Sequence, residues 1–298
     1  MKVFIMRPIP EKGIALLKAK GFEIVDSIDS ADAMIATLLD RIDSAFIESA
    51  PASLKIIANY AVGYDNIDLP AAKARNIFVT NTPDVLTEAV AEHTIGLMLA
   101  IARRISEADR YVRAGNWHMA WAWDFMLGGE LKGRTLGILG PGRIGSRVGE
   151  ITEKALGMKV VFCGPKDDLD AFLARCDVVS VHVPLLESTR HIINAERLKK
   201  MKPTAYLINT SRGAVVDETA LAEALRENQI AGAALDVFEN EPNVHPDLLT
   251  LENVVLTPHI ASATEEARIA MAEVVAANVI AALEGKTPPN VVNSNVKP

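Results

Sequence analysis

Arg212, Glu241 and His259 are the side chains in this sequence best suited to acid–base and anion chemistry. An arginine can hold a carboxylate through two parallel hydrogen bonds, and a histidine exchanges protons near neutral pH. A glutamate beside that histidine favours the imidazolium form and orients the ring. Each residue alone is often just an ion-pair partner or a cap. Together they suit a reaction in which hydride moves to or from a carbon while the histidine transfers the hydroxyl proton.

Such a reaction needs a dinucleotide, and one stretch of the chain is typical of a dinucleotide site. The apolar run Leu136–Leu139 ends in Gly140, Gly142 and Gly145 at Gly-x-Gly-x-x-Gly spacing. Gly140 would permit a tight turn, Gly142 would let a pyrophosphate approach the backbone, and Gly145 would let a helix pack on the strand. A purely structural turn is the alternative. Apolar residues at helical spacing follow, so the motif lies between a strand and a helix: Ile144, Val148, Ile151 and Ala155.

The end of the next predicted strand, Lys159–Cys163, lacks the acid that usually binds the adenosine ribose. Gly164 and Lys166 stand there instead. Without a carboxylate a 2′-phosphate is not repelled, and Lys166 can pair with one. Asp167 and Asp168 follow closely and are alternative ribose ligands. We therefore favour NADP over NAD as the cofactor.

Apolar runs alternate with helical patterns along the chain, which predicts an α/β fold with parallel sheets. Residues 1 to about 85 are predicted to form a small α/β domain of their own. In a parallel sheet the carboxyl ends of the strands share one edge, so the last three strands would bring Arg212, Glu241 and His259 together. Those strands are predicted at Tyr206–Asn209, Ala231–Val237 and Val254–Leu256.

The loop Tyr60–Asn66 follows an earlier strand end. There the N–H groups of Val62 and Gly63 can face an anion, although an ordinary turn fits equally well. The segment from Thr87 to about Tyr111 is predicted to be one long buried helix.

Four further features are predicted to be structural. His93 and His182 lie among apolar residues, where a hydrogen-bonded core or interface histidine is expected. The segment Asn116–Met126 holds all three tryptophans. It suggests an arm that packs on a partner, with local core packing as the alternative. Ser262–Glu265 has capping-box spacing and is expected to open a last helix.

Composition excludes several classes of protein. The 298 residues are 49% hydrophobic and 23% charged, which is ordinary for a globular protein. The net charge of −7 argues against a nucleic-acid or anionic membrane partner. No run reaches the roughly 18 apolar residues of a membrane span, and the first residues are typical of a strand rather than a signal peptide. Cys163 and Cys176 lack metal-ligand spacing, so we expect no metal site and two reduced thiols in a cytoplasmic protein.

Motifs along the whole chain resemble the D-isomer-specific 2-hydroxyacid dehydrogenases, and most closely their glyoxylate/hydroxypyruvate reductase branch. Glu241 itself argues against the formate dehydrogenase relatives, which carry glutamine there. The matching stretches are Val62–Asp68, Asn81–Thr87, Gly140–Gly145, His182–Leu185, Asn209–Gly213, Leu235–Pro242 and Thr257–Ile260.

The resemblance implies a role for each site residue. Arg212 would bind the substrate's carboxylate and carbonyl, His259 would be the proton donor in reduction, and Glu241 its partner. Val62 and Gly63 would be backbone donors to the carboxylate. The implied cofactor-binding residues are Gly140, Gly142, Arg143, Ile144, Gly145, Lys166, Val183, Pro184, Thr210 and Asp236, the last orienting the nicotinamide carboxamide.

The family architecture further implies two Rossmann-like domains and a homodimer. A dinucleotide-binding domain (91–264) would be inserted into a discontinuous substrate domain (1–90 plus 265–298). The chain departs from the family in being short. After Lys166 it runs directly into Leu169–Ala174, which predicts the loss of one strand of the cofactor sheet, and a helix is missing between Ile28 and Ala31.

The predicted function is NAD(P)H-dependent reduction of glyoxylate or hydroxypyruvate to the D-2-hydroxy acid. Within the class, D-lactate and 3-phosphoglycerate dehydrogenases are alternatives, with Arg41 as a phosphate-binding candidate or simply a surface charge. An alternative from another class is a dinucleotide-sensing corepressor-like protein on the same fold. A third is a structural relic that binds no cofactor.

Overall fold

The computed structural model describes residues 1–118, 121–294 and 296–297. The chain forms two compact units, one made of Met1–Leu86 with Ala263–Pro298 and the other of Thr87–Ser262. The second unit, called unit 2 below, is therefore one continuous segment inserted into the first, unit 1. These bounds lie within four residues of the predicted ones, and the predicted roles of the two domains stay predictions.

Unit 1 contains a parallel five-stranded sheet in the order β2-β1-β3-β4-β5 within the described residues. Aspartates begin two of its helices, because Asp43 and Asp68 accept from backbone N–H groups in the first turns. The elements are β1 (Lys2–Ile5), α1 (Glu11–Ala19), β2 (Glu23–Val25), β3 (Ala33–Ala36), α2 (Ser44–Ser49), β4 (Ile56–Asn59), α3 (Leu69–Ala74) and β5 (Phe78–Thr80).

Unit 2 contains a parallel sheet of six strands in the described residues, in the order β11-β10-β9-β8-β6-β7. Its elements are α4 (Thr87–Ala102), α5 (Ile105–Arg113), β6 (Thr135–Leu139), α6 (Arg143–Leu156), β7 (Lys159–Cys163), α7 (Leu169–Arg175), β8 (Val178–Val181), α8 (Ala195–Leu198), β9 (Tyr206–Asn209), α9 (Glu218–Arg226), β10 (Gly232–Leu235) and β11 (Val254–Leu256). The chain then returns to unit 1 with α10 (Glu265–Leu283). Two parallel-sheet α/β units are the fold class that the sequence predicts.

The two segments in which the sequence predicts a missing element lie one in each unit. In unit 2, α7 follows β7 directly and leads to β8, so no strand occurs in residues 164–177, all of which the structure describes. β7 is therefore the edge of the sheet. In unit 1, a single 3₁₀ turn, Ile28–Ser30, occupies the place where the helix was expected to be missing.

Two predicted helix bounds are wrong. The long helix predicted from Thr87 to Tyr111 is two helices, because Arg104 adopts a left-handed conformation with φ 54° between them. The carbonyl of Ala102 at the end of α4 accepts instead from the N–H of Gly129, at 2.8 Å. At α10, Thr264 rather than Ser262 is the cap, since its hydroxyl accepts from the N–H of Ala267 at 3.1 Å.

The tryptophan segment does not pack into a local core. Trp117, Trp121 and Trp123 are 58%, 81% and 74% exposed. Met119 and Ala120, which belong to the same predicted arm, lie outside the described residues.

As expected, Cys163 and Cys176 are both buried free thiols. In the described part of the chain, no helix combines the length and apolar character needed to cross a bilayer.

Candidate active site

The carboxyl ends of β9, β10 and β11 are neighbours in the sheet of unit 2, because the three strands pair in parallel. β9 leads to Arg212, β10 to Glu241 and β11 to His259. The strand ends therefore deliver the three predicted catalytic side chains to one edge, as the sequence indicates.

His259 and Glu241 are directly hydrogen-bonded. Nδ1 of the ring lies 2.7 Å from Oε2 of the carboxylate, and the side chains are 23% and 21% exposed. The other carboxylate oxygen accepts from the N–H of Phe238 at 3.0 Å. No described residue hydrogen-bonds to Nε2 of His259, so that nitrogen is available to exchange a proton with a ligand.

Glu241 is held in its ionised form. Burial alone would raise its pKa, but the hydrogen bonds from His259 and the Phe238 N–H, with the positive charge of Arg212, lower it. An ionised Glu241 accepts from Nδ1–H and stabilises a positive charge on the ring. The pair occupies Nδ1 of His259 and leaves Nε2 as the ring nitrogen that can face a ligand.

The loop that carries His259 is fastened to Asp236. The carboxylate of Asp236 accepts from the Thr257 hydroxyl (2.6 Å) and from the N–H groups of Ile260 (2.9 Å) and Ala261 (2.8 Å). The N–H of His259 donates to the Asp236 carbonyl at 2.8 Å, and the residue has a left-handed φ of 53°. Asp236 is fully buried. In this structure it organises the His259 loop, and its predicted contact with a nicotinamide carboxamide stays a prediction.

Arg212 lies in a tight turn against the loop of Glu241. The Arg212 carbonyl accepts from the side chain of Asn209 at 2.9 Å, and its guanidinium donates to the Ser211 carbonyl at 2.9 Å. The next residue, Gly213, touches the backbone of Phe238 so closely that a Cβ there would lie 1.8 Å from the Phe238 carbonyl carbon. Only glycine allows these two loops to approach in this way.

The glycine motif after β6 fits a dinucleotide. Gly140 has a φ of 95°, and a Cβ on it would lie 2.8 Å from the backbone of His182. A Cβ on Gly145 would lie 2.5 Å from the Gly140 carbonyl, so α6 packs directly on the turn. At Gly142, in contrast, no described atom lies within 4 Å of the Cβ position, which leaves the backbone open to a phosphate. The first N–H groups of α6, at Arg143 and beyond, have no acceptor within the helix.

Four predicted residues lie at or just after the end of β7: Gly164, Lys166, Asp167 and Asp168. Lys166 is exposed, while Asp167 folds back so that its carboxylate accepts from the N–H of Gly164 at 2.7 Å. Asp168 is the N-cap of α7, bonded to the N–H of Ala171 at 3.1 Å. Of the two aspartates, Asp167 is thus the one whose carboxylate lies at the strand end.

The other predicted cofactor residues are spread along the same edge. Val183 and Pro184 follow β8 and are partly exposed, and Ile144 is in the first turn of α6. Thr210 follows β9 but is only 9% exposed, and its hydroxyl is hydrogen-bonded to that of Thr94 at 2.9 Å. Its role in the structure is internal to unit 2.

In unit 1, the N–H groups of Val62 and Gly63 bond to no acceptor among the described residues, and both residues are partly exposed. They are therefore available to an anion. Arg41 has an 86% exposed side chain that pairs with Asp43 at 3.3 Å. The structure thus gives Arg41 the surface role that the sequence left as one alternative.

His93 and His182, predicted to be hydrogen-bonded structural histidines, are both hydrogen-bonded, to partners that the sequence does not predict. His93 lies 3.1 Å from the Thr257 hydroxyl and 3.3 Å from Asp236. Burial would raise the pKa of Asp236, but the hydrogen bonds from His93 and Thr257 lower it. His182, in contrast, is hydrogen-bonded to Ser180 at 2.8 Å, and burial lowers its pKa to about 4.

A cluster that the sequence does not predict fastens the start of α9 to the Glu241 loop. The carboxylate of Glu218 accepts from the N–H of Glu239 (2.7 Å), and that of Glu239 accepts from the N–H of Glu218 (3.2 Å). His191 Nε2 lies 3.0 Å from Glu239. The sequence carries no local signal for this reciprocal pair, because its members lie 21 residues apart on different elements.

Comparison with known proteins agrees with this geometry. Residues 95–261 match the family model described as the NAD-binding domain of the D-isomer specific 2-hydroxyacid dehydrogenases. The chain is 48% identical to the glyoxylate reductase of Thermofilum pendens, over 99% of this chain and 95% of the relative.

Two solved structures are also similar. A protein from Thermus thermophilus superposes with a TM-score of 0.91 at 43% identity, covering 98% of this chain and 100% of that one. The NADPH-dependent glyoxylate/hydroxypyruvate reductase of Sinorhizobium meliloti, solved with NADP and malonate, superposes with a TM-score of 0.89 at 34% identity, covering 99% and 98%. The predicted family and its reductase branch are confirmed. The chain belongs to the D-isomer specific 2-hydroxyacid dehydrogenases, a family of NAD(P)-dependent oxidoreductases.

Proposed function

We propose that this protein reduces a small 2-oxo acid, glyoxylate or hydroxypyruvate, to the D-2-hydroxy acid. The observation that carries the proposal is the pair of His259 and Glu241 beside Arg212, with Nε2 of the histidine bonded to no described residue. The names of the relatives, which are glyoxylate and glyoxylate/hydroxypyruvate reductases, support this substrate class.

In the proposed mechanism, the three side chains have different tasks. Arg212 binds the substrate carboxylate and polarises the carbonyl through its fork of N–H donors. His259 carries a proton on Nε2 and donates it to the carbonyl oxygen as that oxygen becomes a hydroxyl. Glu241 stabilises the imidazolium before transfer. The nicotinamide dinucleotide supplies the hydride when bound. Val62 and Gly63 are proposed as further N–H donors to the carboxylate.

For the cofactor we propose NADP(H) over NAD(H), as Gly164 and Lys166 suggest. The exposure of Lys166 supports this choice, because the ammonium group is free to meet a 2′-phosphate. The carboxylate of Asp167 at the same strand end opposes it. The ratio of kcat/KM with NADPH to kcat/KM with NADH shows which residue dominates. A ratio above one indicates Lys166, and a ratio below one indicates Asp167.

The test is the loss of absorbance of the reduced cofactor, with NADH and NADPH run in parallel against glyoxylate, hydroxypyruvate and pyruvate. We expect faster oxidation with glyoxylate or hydroxypyruvate than with pyruvate. A folded protein that oxidises neither cofactor with any of these acids would overturn the proposal. Faster turnover of pyruvate would move the assignment to a D-lactate dehydrogenase.

A further inference from the structure

Three successive carbonyl groups in the loop after β4 are each held by a donor from the protein interior. The loop residues are Ala61, Val62 and Gly63, and the donors come from the end of β4 and from the segment just after β5. The pairs are Ala61 carbonyl with Thr82 N–H (2.9 Å), Val62 carbonyl with Asn81 Nδ2 (2.8 Å), and Gly63 carbonyl with Asn59 Nδ2 (2.7 Å).

Holding a carbonyl also orients the N–H of the same peptide. In a trans peptide the N–H points opposite to the C=O, and the peptides of this loop are trans, since the cis bond of the described chain is Glu241–Pro242. The N–H groups of Val62, Gly63 and Tyr64 therefore point away from the donors that hold the carbonyls. None of them bonds to an acceptor in the described residues. Tyr64 is 39% exposed and Val62 and Gly63 are partly exposed, so the loop that carries this row of N–H groups lies at the surface of unit 1.

The side chain of Asn59 is an unusual choice for packing alone. It is fully buried, and its Oδ1 has no hydrogen-bond partner among the described residues. Buried polar atoms are normally paired, and an apolar residue would avoid the cost of desolvating this one. The one hydrogen bond that its side chain makes, from Nδ2 to the Gly63 carbonyl, therefore explains why an amide side chain is placed here.

We propose that Asn81 and Asn59 are positioning residues, which orient the N–H groups of Gly63 and Tyr64. With the Val62 N–H, which the Thr82 backbone orients, these groups form three consecutive donors for the carboxylate of the 2-oxo acid. The inference rests on the proposed function and deepens it. It adds the Tyr64 N–H to the two backbone donors already proposed, and it assigns the side chains that orient two of the three.

The test uses Asn81→Asp in the full-length protein. The change keeps the size of the side chain but replaces the amide donor by a carboxylate, which repels the Val62 carbonyl and releases the peptide. We expect KM for glyoxylate to rise roughly tenfold or more, since a hydrogen bond to a charged ligand is lost. We expect kcat to fall by less, and the dissociation constant of the reduced cofactor, measured by its fluorescence, to stay within about twofold.

Lowering the pH provides a rescue that a merely structural role would not show. At position 81 the carboxylate would face the Val62 carbonyl oxygen, which disfavours its charged form and raises its pKa. The protonated acid regains a donor, so the ratio of the variant KM to the wild-type KM should shrink from about pH 7.5 to about pH 5. Asn76→Asp is the matched control. Asn76 also donates its amide to a carbonyl, that of Lys297 at 3.0 Å, but it precedes β5 whereas Asn81 follows it. The KM of Asn76→Asp for glyoxylate should equal that of the wild type.

The possible results separate the two proposals. If the wild type reduces glyoxylate and Asn81→Asp and Asn81→Ala keep its KM within about twofold, the positioning role is wrong and the proposed function stands. If the wild type neither reduces any 2-oxo acid nor binds oxamate in the presence of cofactor, the proposed function is wrong and the inference falls with it.

Discussion

At the scale of single residues, His259 is held twice, by different partners. Asp236 fastens its backbone through the carbonyl and the surrounding N–H groups, whereas Glu241 holds its ring through Nδ1. The left-handed backbone of His259 is unfavourable for a residue with a Cβ, so these bonds are what maintain it. The position of Nε2 thus depends on two residues, Asp236 and Glu241, that both follow β10.

Replacing His259 by glutamine should remove the proton donor while preserving hydrogen-bonding capacity toward Glu241. We expect turnover of the 2-oxo acid to fall by roughly 10²- to 10⁴-fold, because proton transfer contributes about that much. The cofactor dissociation constant should not change. His245→Gln is the control, since His245 caps a 3₁₀ turn at Pro246–Thr250. Near-normal turnover in His259→Gln would refute the proton-transfer assignment.

His182 should make the protein less stable in acid. Its pKa in the folded state is about 4, below the ordinary 6.5. Above pH 6.5 the ring is neutral in both states. Between about pH 6.5 and pH 4 only the unfolded chain takes up the proton, so stability falls as the pH falls. At pH 5 the loss should be about 2 kcal/mol relative to pH 7.5.

Urea unfolding at the two pH values measures this loss. In His182→Asn, which keeps a hydrogen-bonding group near Ser180 but cannot titrate, the decline between the two pH values should be smaller by about the same 2 kcal/mol. An equal decline in wild type and variant would show that other groups govern the acid sensitivity.

At the scale of elements, the loops that carry Arg212 and Glu241 are in contact through Gly213. Gly213→Ala would push a methyl group into the Phe238–Glu239 peptide and displace the loop of Glu241. We expect a loss of unfolding free energy of about 2 kcal/mol or more, together with lower kcat. Urea unfolding and steady-state kinetics measure both.

Gly96→Ala is the matched control within unit 2. Gly96 is exposed in α4, and no described heavy atom outside its own helix lies within 4 Å of its Cβ position. There the same substitution should raise stability by about 0.5–1 kcal/mol. A Gly213→Ala variant with wild-type stability would mean that the two loops separate easily.

The sequence predicts elements better than the contacts between them. The strands leading to Arg212, Glu241 and His259 were predicted because apolar runs end in polar residues. The break at Arg104 was not predicted, because no glycine or proline marks it and its cause is the returning chain at Gly129.

Partners far apart in the chain were also beyond prediction. The reciprocal pair of Glu218 and Glu239 and the bonds from Asn59 and Asn81 depend on backbone directions that only the folded chain defines.

At the scale of the whole molecule, we expect a homodimer. None of the residues of α5 is buried, and Ile105 and Val112 are each 53% exposed. The exposed Trp121 and Trp123 follow in the chain. Large apolar side chains exposed this close together in the chain are typical of a contact with a partner.

Light scattering coupled to gel filtration should therefore give twice the chain mass of 32.2 kDa. Ile105→Glu should shift the protein toward the monomer. Leu186→Glu, at a leucine that is 55% exposed in the loop after β8, should not. A monomeric wild type at micromolar concentration would contradict the expectation.

The insertion of unit 2 into unit 1 has a consequence for the order in which the protein can be made. On the ribosome, residues 87–262 are synthesised and emerge before residues 263–298, the last part of unit 1. Yet the core of unit 1 needs that part, since Gly13 of α1 packs against Ala272 of α10, and Asn293 is hydrogen-bonded to Ile77 and Val79 at β5. Unit 2 can therefore fold during synthesis, whereas the first 86 residues must wait for the final helix. Stalled nascent chains in which residue 262 is followed by an unstructured linker long enough to span the ribosomal exit tunnel should accordingly show unit 2 protected from protease and unit 1 open to cleavage.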